Sequence, residues 1–420
     1  MRNPKIRFKE YTKDWEQRKL GEMGSLKNGM NFSKDAMGRG YPFVNLQNIF
    51  GKNIIDVNNL GKAEASTQQL KEYSLEKGDV LFVRSSVKLE GVGEAAVVPK
   101  TLENTTYSGF VIRFRDEVGL DDNFKKFVFS IKSVRDQIMA QATNSANKNV
   151  SQTILGNLAI PVPEFEEQEK IGSCFSSLDH LLTLHQRKCE EIKTLKKYMF
   201  QKMFPQDGMN IPEIRFAGFT GDWEQRKLSE LVEVVDGDRG KNYPIESDFT
   251  TIGHTLFLNA SNVTTNGFLF LENQYISEEK SNSMGNGRLQ EDDIIITSRG
   301  SLGHIAWYNT DISRKIPYVR INSGMLILRK REEIVTSYLY HYMKSDKGQN
   351  QILFMSFGSA QPQLTKKCME NLKVVFPKDI NEQHRLGQYF SYLDHLLTLH
   401  QRKCEELKKM KKFMFQNMFV

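Results

Sequence analysis

The sequence predicts an α+β protein written twice: two mixed α/β domains alternating with two long helices, the helices pairing as an antiparallel coiled coil about a pseudo-twofold axis. Three observations predict it. Ile6-Arg7-Phe8 and Asp14-Trp15-Glu16-Gln17-Arg18-Lys19-Leu20 return 208 residues later as Ile214-Arg215-Phe216 and Asp222-Trp223-Glu224-Gln225-Arg226-Lys227-Leu228. The run LDHLLTLHQRKCEE at Leu178 to Glu191 recurs unchanged at Leu393 to Glu406. Each copy then continues into a matching end, KKYMFQKMF at 196–204 and KKFMFQNMF at 411–419. A repeat of this size fixes the architecture before any local reading.

The first domain, 1–163, carries short β-branched and aromatic runs (DVLFV, AAVV, GFVIRF) punctuated by Gly, Asn and Asp, with a helical stretch from Asp122 to Thr143. The central segment, 164–207, has no Gly or Pro after Gly172 until Pro205 and is rich in Leu, Lys, Glu and Gln, so it reads as one helix about 60 Å long. Its apolar stripe runs Leu178, Leu182, His185, Cys189, Ile192, Leu195, Met199, Met203 in steps of three and four. One narrow apolar face calls for a partner helix. The second domain, 208–378, repeats the pattern with DIIIT, HIAWY and GMLIL and a helical stretch from Glu332 to Met343. The last segment, 379–420, supplies the partner seam with Leu393, Leu397, His400, Cys404 and Leu407.

Between these anchors the halves diverge, and only patches correspond. Phe43-Val44-Asn45-Leu46-Gln47-Asn48-Ile49 matches Phe257-Leu258-Asn259-Ala260-Ser261-Asn262-Val263, and Gly78-Asp79-Val80-Leu81-Phe82 matches Asp292-Asp293-Ile294-Ile295-Ile296.

Composition narrows the function only coarsely. A length of 420 residues with 39% hydrophobic content allows two or three cores. With 58 Lys and Arg against 51 Asp and Glu, the net charge of +7 permits an acidic partner without requiring one, and the basic surplus sits mainly in the first domain. Four cysteines without a CxxC pair fit a reducing compartment rather than a disulfide scaffold. The opening residues lack an apolar targeting core and no 18-residue apolar run occurs, so a cytoplasmic protein without membrane contact is expected.

Catalytic signatures are missing: no GxxxxGK(S/T) loop, no GxGxxG, no HExxH and no Asn/Asp-Pro-Pro-Tyr/Phe run. Glu191-Ile192-Lys193 and Glu406-Leu407-Lys408 look like nuclease fragments but lie on the polar side of the helices, where they read as solvated charge. His185 with Cys189 and His400 with Cys404, each spaced i,i+4, could collect a zinc ion. Packing in the seam is the plainer reading, and no metal is expected.

What remains is a set of polar groups in loops after strands. Arg84, Ser85 and Lys88 follow DVLFV, and Ser298 and Arg299 follow DIIIT, each leading into Gly-rich chain. Arg, Ser and Lys so placed suit base edges and phosphates. Asn45, Gln47, Asn259 and Asn262 add amides suited to adenine or to strand capping, and Arg39, Arg239 and Lys241 add cations in a second pair of loops.

Taken together, the twofold repeat, the DWEQRKL openings, the Gly-Asp-Val-Leu strand with its Arg/Ser loop, and the passages Asn157 to Gln168 and Asn371 to Gln383 resemble the DNA-specificity subunit of type I restriction-modification enzymes. That resemblance implies two target-recognition domains, each reading one half of a split, asymmetric double-stranded DNA target, with the helices as spacer. It implies a chain without cofactor or catalytic residues. The implied partners are two methyltransferase subunits, which bring S-adenosylmethionine and flip the adenine, and two translocase-nuclease subunits, which use ATP and magnesium. A stand-alone DNA-binding regulator or a nuclease are the alternatives.

Overall fold

The structure is a computed structural model describing residues 3–142, 148–206, 208–331, 333–356 and 363–419. The chain divides into two compact units, 1–186 with 401–420, and 187–400. Each unit therefore holds one mixed domain together with part of both long helices.

In the first unit a four-stranded antiparallel sheet runs in the order Gly24–Asn28, Val111–Asp116, Val80–Val83, Ala95–Val97. A three-stranded sheet sets Met37–Val44 between antiparallel Gly61–Ala63 and parallel Thr106–Tyr107. The second unit repeats both sheets. Val232–Asp236, Met325–Lys330, Asp293–Thr297 and Ile305–Tyr308 form the larger, while Thr255–Leu258 lies between Tyr275–Ile276 and Val319–Ile321 in the smaller. The strands Val80–Val83 and Asp293–Thr297 are buried along their whole length, with apolar side chains throughout the first and at Ile294, Ile295 and Ile296 of the second.

The helical stretch expected from Asp122 to Thr143 is two helices, Asp122–Val128 and Lys132–Gln141, broken at Ile131, whose backbone is extended. The stretch expected from Glu332 begins at Thr336 and runs to Lys344. Thr143 and Glu332 lie outside the described residues.

The repeated sequence motifs are joints. Glu16–Lys19 pairs antiparallel with Ala159–Val162, and Glu224–Lys227 with Lys373–Phe376, so each DWEQRKL segment closes its domain onto the strand that feeds a long helix. The helices run Phe165–Met203 and Ile380–Asn417. At the first helix's start Gln168 Nε2 donates to the Pro163 carbonyl (3.0 Å) while its Oε1 accepts from Asp121 N (3.1 Å). Gln383 does the same with Pro377 (2.9 Å) and Val335 (2.9 Å). Beside them Arg7 grips Glu167 through Nε (2.7 Å) and Nη2 (2.8 Å), and Arg215 grips Glu382 (2.6 and 2.8 Å). Hydrogen bonding to the carboxylate holds both guanidinium pKa values above their ordinary level. The Ile-Arg-Phe and Glu-Gln motifs are thus two sides of one buried contact. Gly172 and Gly387 allow close crossing, because a Cβ would fall 2.5 Å from Phe124 N and 2.9 Å from Tyr338 N respectively.

Within each unit the two helices are antiparallel. In the first, Asp179 pairs with Lys411, and Phe175 packs on Phe415 and Phe419. In the second, Lys196 pairs with Asp394, and Phe200 stacks on Phe390 at 4.4 Å. Of the expected seam, Leu178 and Leu407 are buried in the first core with Leu182 beside them, and Ile192 and Leu393 in the second with Leu397 at its margin. Cys189 and Cys404 are buried; His185 and His400 are half-buried. Leu195 departs from the expected stripe and is 40% exposed. Lys196 takes the inward place, since its ammonium meets a carboxylate across the helix pair.

The backbone amide of Ile6 donates to the Asn417 carbonyl (2.9 Å), just as Ile214 donates to Lys202 (2.8 Å). The end of the second helix thus serves the first domain as the end of the first helix serves the second domain.

Candidate nucleic-acid interface

The strand-end loops begin from a buried ion pair. Asp79 accepts from Arg115 Nε (2.8 Å) and Nη2 (2.7 Å) and from Glu76 N (2.8 Å). Asp293 accepts from Arg329 (3.0 and 2.8 Å) and from Gln290 N (2.7 Å). These bonds fix the turn that launches each of the two strands, which explains why the aspartate recurs in both halves. Burial pushes the Asp293 carboxyl above the ordinary carboxylate range, and hydrogen bonding to Asp79 raises the Arg115 guanidinium.

Beyond Val83 the chain passes Arg84, whose guanidinium donates to the Gly109 carbonyl (3.3 Å), and then Ser85-Ser86, which pair antiparallel with Lys148-Asn149. Lys148 and Asn149 are additions that sequence reasoning missed; only the pairing brings them to the loop. Ser86 Oγ accepts from Lys88 N (3.2 Å), turning the chain so that Val87 and Lys88 face solvent. The turn bearing Asn45 and Gln47 comes to the same place, for Leu46, Phe50, Ser85, Ser86, Val87, Lys88 and Phe110 line one hollow of about 530 Å³. Gln47 is exposed, with a long contact to the Asn59 carbonyl (3.5 Å). Asn45 caps its turn through Leu46 N (2.8 Å) and stays half-exposed. Arg39 pairs with Glu64 (2.8 Å) on the surface, where such a pair is weak and exchangeable.

The second unit is built differently. Arg299 and Lys241 are exposed, and neither meets a carboxylate among the described residues. Arg239 is exposed and lies near Asp236 (3.8 Å) and the Ser323 carbonyl (3.3 Å). Asn259 caps its turn by accepting from Ser261 N (2.9 Å) and lines a separate hollow of about 490 Å³ with Thr251 and Leu271 to Tyr275. Two expectations are corrected. Asn262 is buried and spends its amide on Asn259 N (3.0 Å) and on the Leu269 (3.1 Å) and Glu272 (3.3 Å) carbonyls, so it builds the turn rather than reading a base. Ser298 is 1% exposed, its backbone held by Gly324 and Leu364, so its hydroxyl faces the interior. In both cases sequence pattern located the loop but not which side chain turns outward.

Among the described residues no group of three or more His, Cys, Asp or Glu side chains could hold a metal ion, and no helix is long and apolar enough to cross a membrane.

Comparison with known proteins agrees with this geometry. Residues 12–194 and 220–409 each match the type I restriction modification DNA specificity domain. The chain is 23% identical to the putative type I restriction enzyme MjaX specificity subunit of Methanocaldococcus jannaschii, over 97% of this chain and 93% of that protein. Across 35% of this chain and 32% of the other it is 27% identical to the EcoKI specificity subunit of Escherichia coli. In fold it is similar to the specificity subunit of a type I restriction-modification system from M. genitalium (TM-score 0.63, 18% identity, covering 100% of this chain and 99% of that one). It is also similar to a chain from a structural study of type I system assembly and conformational transition (TM-score 0.51, 17% identity, 97% of each). With two matched domains spanning most of its length, two target-recognition folds and two long helices, the chain belongs to the type I restriction-modification DNA specificity family and is a specificity subunit of such a system.

Proposed function

We propose that each domain reads one half of a split, asymmetric DNA sequence, and that the chain directs adenine methylation and ATP-dependent restriction carried out by other subunits. The observation that carries this reading is the contrast inside the repeat. Sheets, joints and helices are built alike in the two units, whereas the loops at the strand ends differ in side chain, burial and the hollows they line. A common scaffold with unlike reading loops suits two unlike half-sites. Specificity comes from Arg, Gln, Asn and Ser at base edges, with Lys88, Lys241 and Arg299 available to phosphates.

The chain contributes no catalytic group in this reading; S-adenosylmethionine, ATP and magnesium belong to two methyltransferase and two translocase-nuclease subunits. The methyltransferase subunits dock on the helices and the DWEQRKL joints. Exposed apolar side chains support this: Leu184, Met410 and Phe413 in the first unit have repeat counterparts Leu399, Leu195 and Tyr198 in the second, each at least 40% exposed. Two equal partners need two equal surfaces.

Exchanging residues 21–150 for those of another specificity subunit, then mapping methylated adenines, tests the modular reading. One half-site changes and the other stays; a change in both overturns it. Reversing charge at Arg18 and Lys19 tests docking, with loss of co-purified methyltransferase as the expected result.

A further inference from the structure

The hollow of the first domain poses a question that its polar neighbours do not answer. Val87 is 81% exposed at the tip of a loop between Arg84 and Lys88, and Phe110 across from it is 58% exposed. Leu46 and Phe50 line the hollow with them, as do Ser85 and Ser86. Lys88, which lines the hollow, pairs with no carboxylate among the described residues, and Lys148 lies on the strand paired with Ser86. Glu90 and Glu94 also line it, and Glu94 is fixed there by accepting from Gly51 N (2.7 Å). Carboxylates inside the hollow repel a phosphate, so the cations hold backbone at the edge while something uncharged enters.

In the major groove the one apolar group a base pair presents is the 5-methyl of thymine. We propose that this hollow receives the thymine methyl of an A·T pair in the half-site read by the first domain, making Val87 and Phe110 specificity-determining residues. The proposal rests on the DNA-reading function above and goes further by naming the base. The loop is not repeated in the second domain's sequence. At the corresponding positions Ser301 stands for Val87, and Leu302, which stands for Lys88, is half-buried against the second core.

The test uses the full chain assembled with its methyltransferase partner, on duplexes carrying the mapped target in which each thymine of the first half-site is replaced singly by deoxyuridine. Removing one buried methyl weakens binding by about fourfold at one position. Val87→Asn and Phe110→Ser, both at exposed sites that the core does not depend on, bind thymine and uracil duplexes equally at that position. The response to uracil in the second half-site is the same in the parent and in both variants. The proposal falls if no thymine in the first half-site is sensitive, if that half-site contains no A·T pair, or if both variants keep the discrimination. A scrambled first half-site separates the two levels. If scrambling leaves binding unchanged, the DNA-reading function itself fails; if it abolishes binding while uracil does nothing, only the thymine assignment fails.

Discussion

Removing the guanidinium of Arg215 is expected to be among the costliest single changes in the second unit. Glu382 is 1% exposed, and Arg215, 16% exposed at its side chain, holds both carboxylate oxygens at 2.6 and 2.8 Å. Truncation to Met leaves a buried carboxylate without its cation, at a cost of about 3–5 kcal/mol. Glu382→Gln is milder, about 1–3 kcal/mol, because Arg215 still donates to the Gly221 (2.7 Å) and Thr220 (3.2 Å) carbonyls and a neutral acceptor remains. With both changed no uncompensated charge is buried, so the double variant costs less than the sum of the singles, with a coupling of about 2 kcal/mol. Urea unfolding of the four proteins at pH 7, followed by tryptophan fluorescence, measures this. Arg7 and Glu167 repeat the geometry in the first unit and should give the same pattern. An Arg215→Met protein as stable as the parent, or strict additivity, would refute the claim that the Ile-Arg-Phe and Glu-Gln motifs form one buried contact.

Gly172→Ala and Gly387→Ala should each destabilise by about 1–3 kcal/mol, since the added carbon meets backbone that cannot step aside; thermal unfolding reports it. His341 is fully buried, and burial together with nearby Lys196 and Lys344 holds its pKa well below the ordinary value of 6.5, with Asp394 at 3.9 Å and Ser391 at 3.0 Å as its other polar neighbours. A depressed imidazole is neutral in the fold and gains its proton on unfolding. Stability is therefore intact above pH 6.5 and falls below it by up to about 1.4 kcal/mol per pH unit, and His341→Phe should flatten that fall in pH-dependent denaturation. Joining the termini and opening the chain near Gln206 should preserve target methylation, because the Ile6–Asn417 and Ile214–Lys202 contacts are equivalent; loss of the fold on permutation would contradict that equivalence. Lys88→Ala and Arg299→Ala should each lower the slope of log affinity against log salt by about one if they meet phosphates, read by titration at several salt concentrations.

Sequence alone determined the duplicated architecture, the long helices and most of the seam, because each is a local pattern repeated at fixed spacing. Leu178, Cys189, Ile192 and Leu407 are buried as their steps of three and four require. The strands Val80–Val83 and Asp293–Thr297 were likewise legible as short β-branched and aromatic runs. Tertiary structure decided what long-range partners control. Lys196 turns inward in place of Leu195 only because Asp394, far along the chain, supplies the opposite charge. Asn262 and Ser298 look like their solvent-facing counterparts in one dimension, yet the carbonyls of Leu269 and Glu272 and the backbone of Gly324 and Leu364 draw them inside. The hollow of the first domain joins residues drawn from 46–50, 85–94 and 110, and the pairing of Ser85-Ser86 with Lys148-Asn149 holds one side of it in place. Periodicity reports which residues share a face; it carries no information about which distant backbone will satisfy a polar group, and that is what selects the side chains left at the surface.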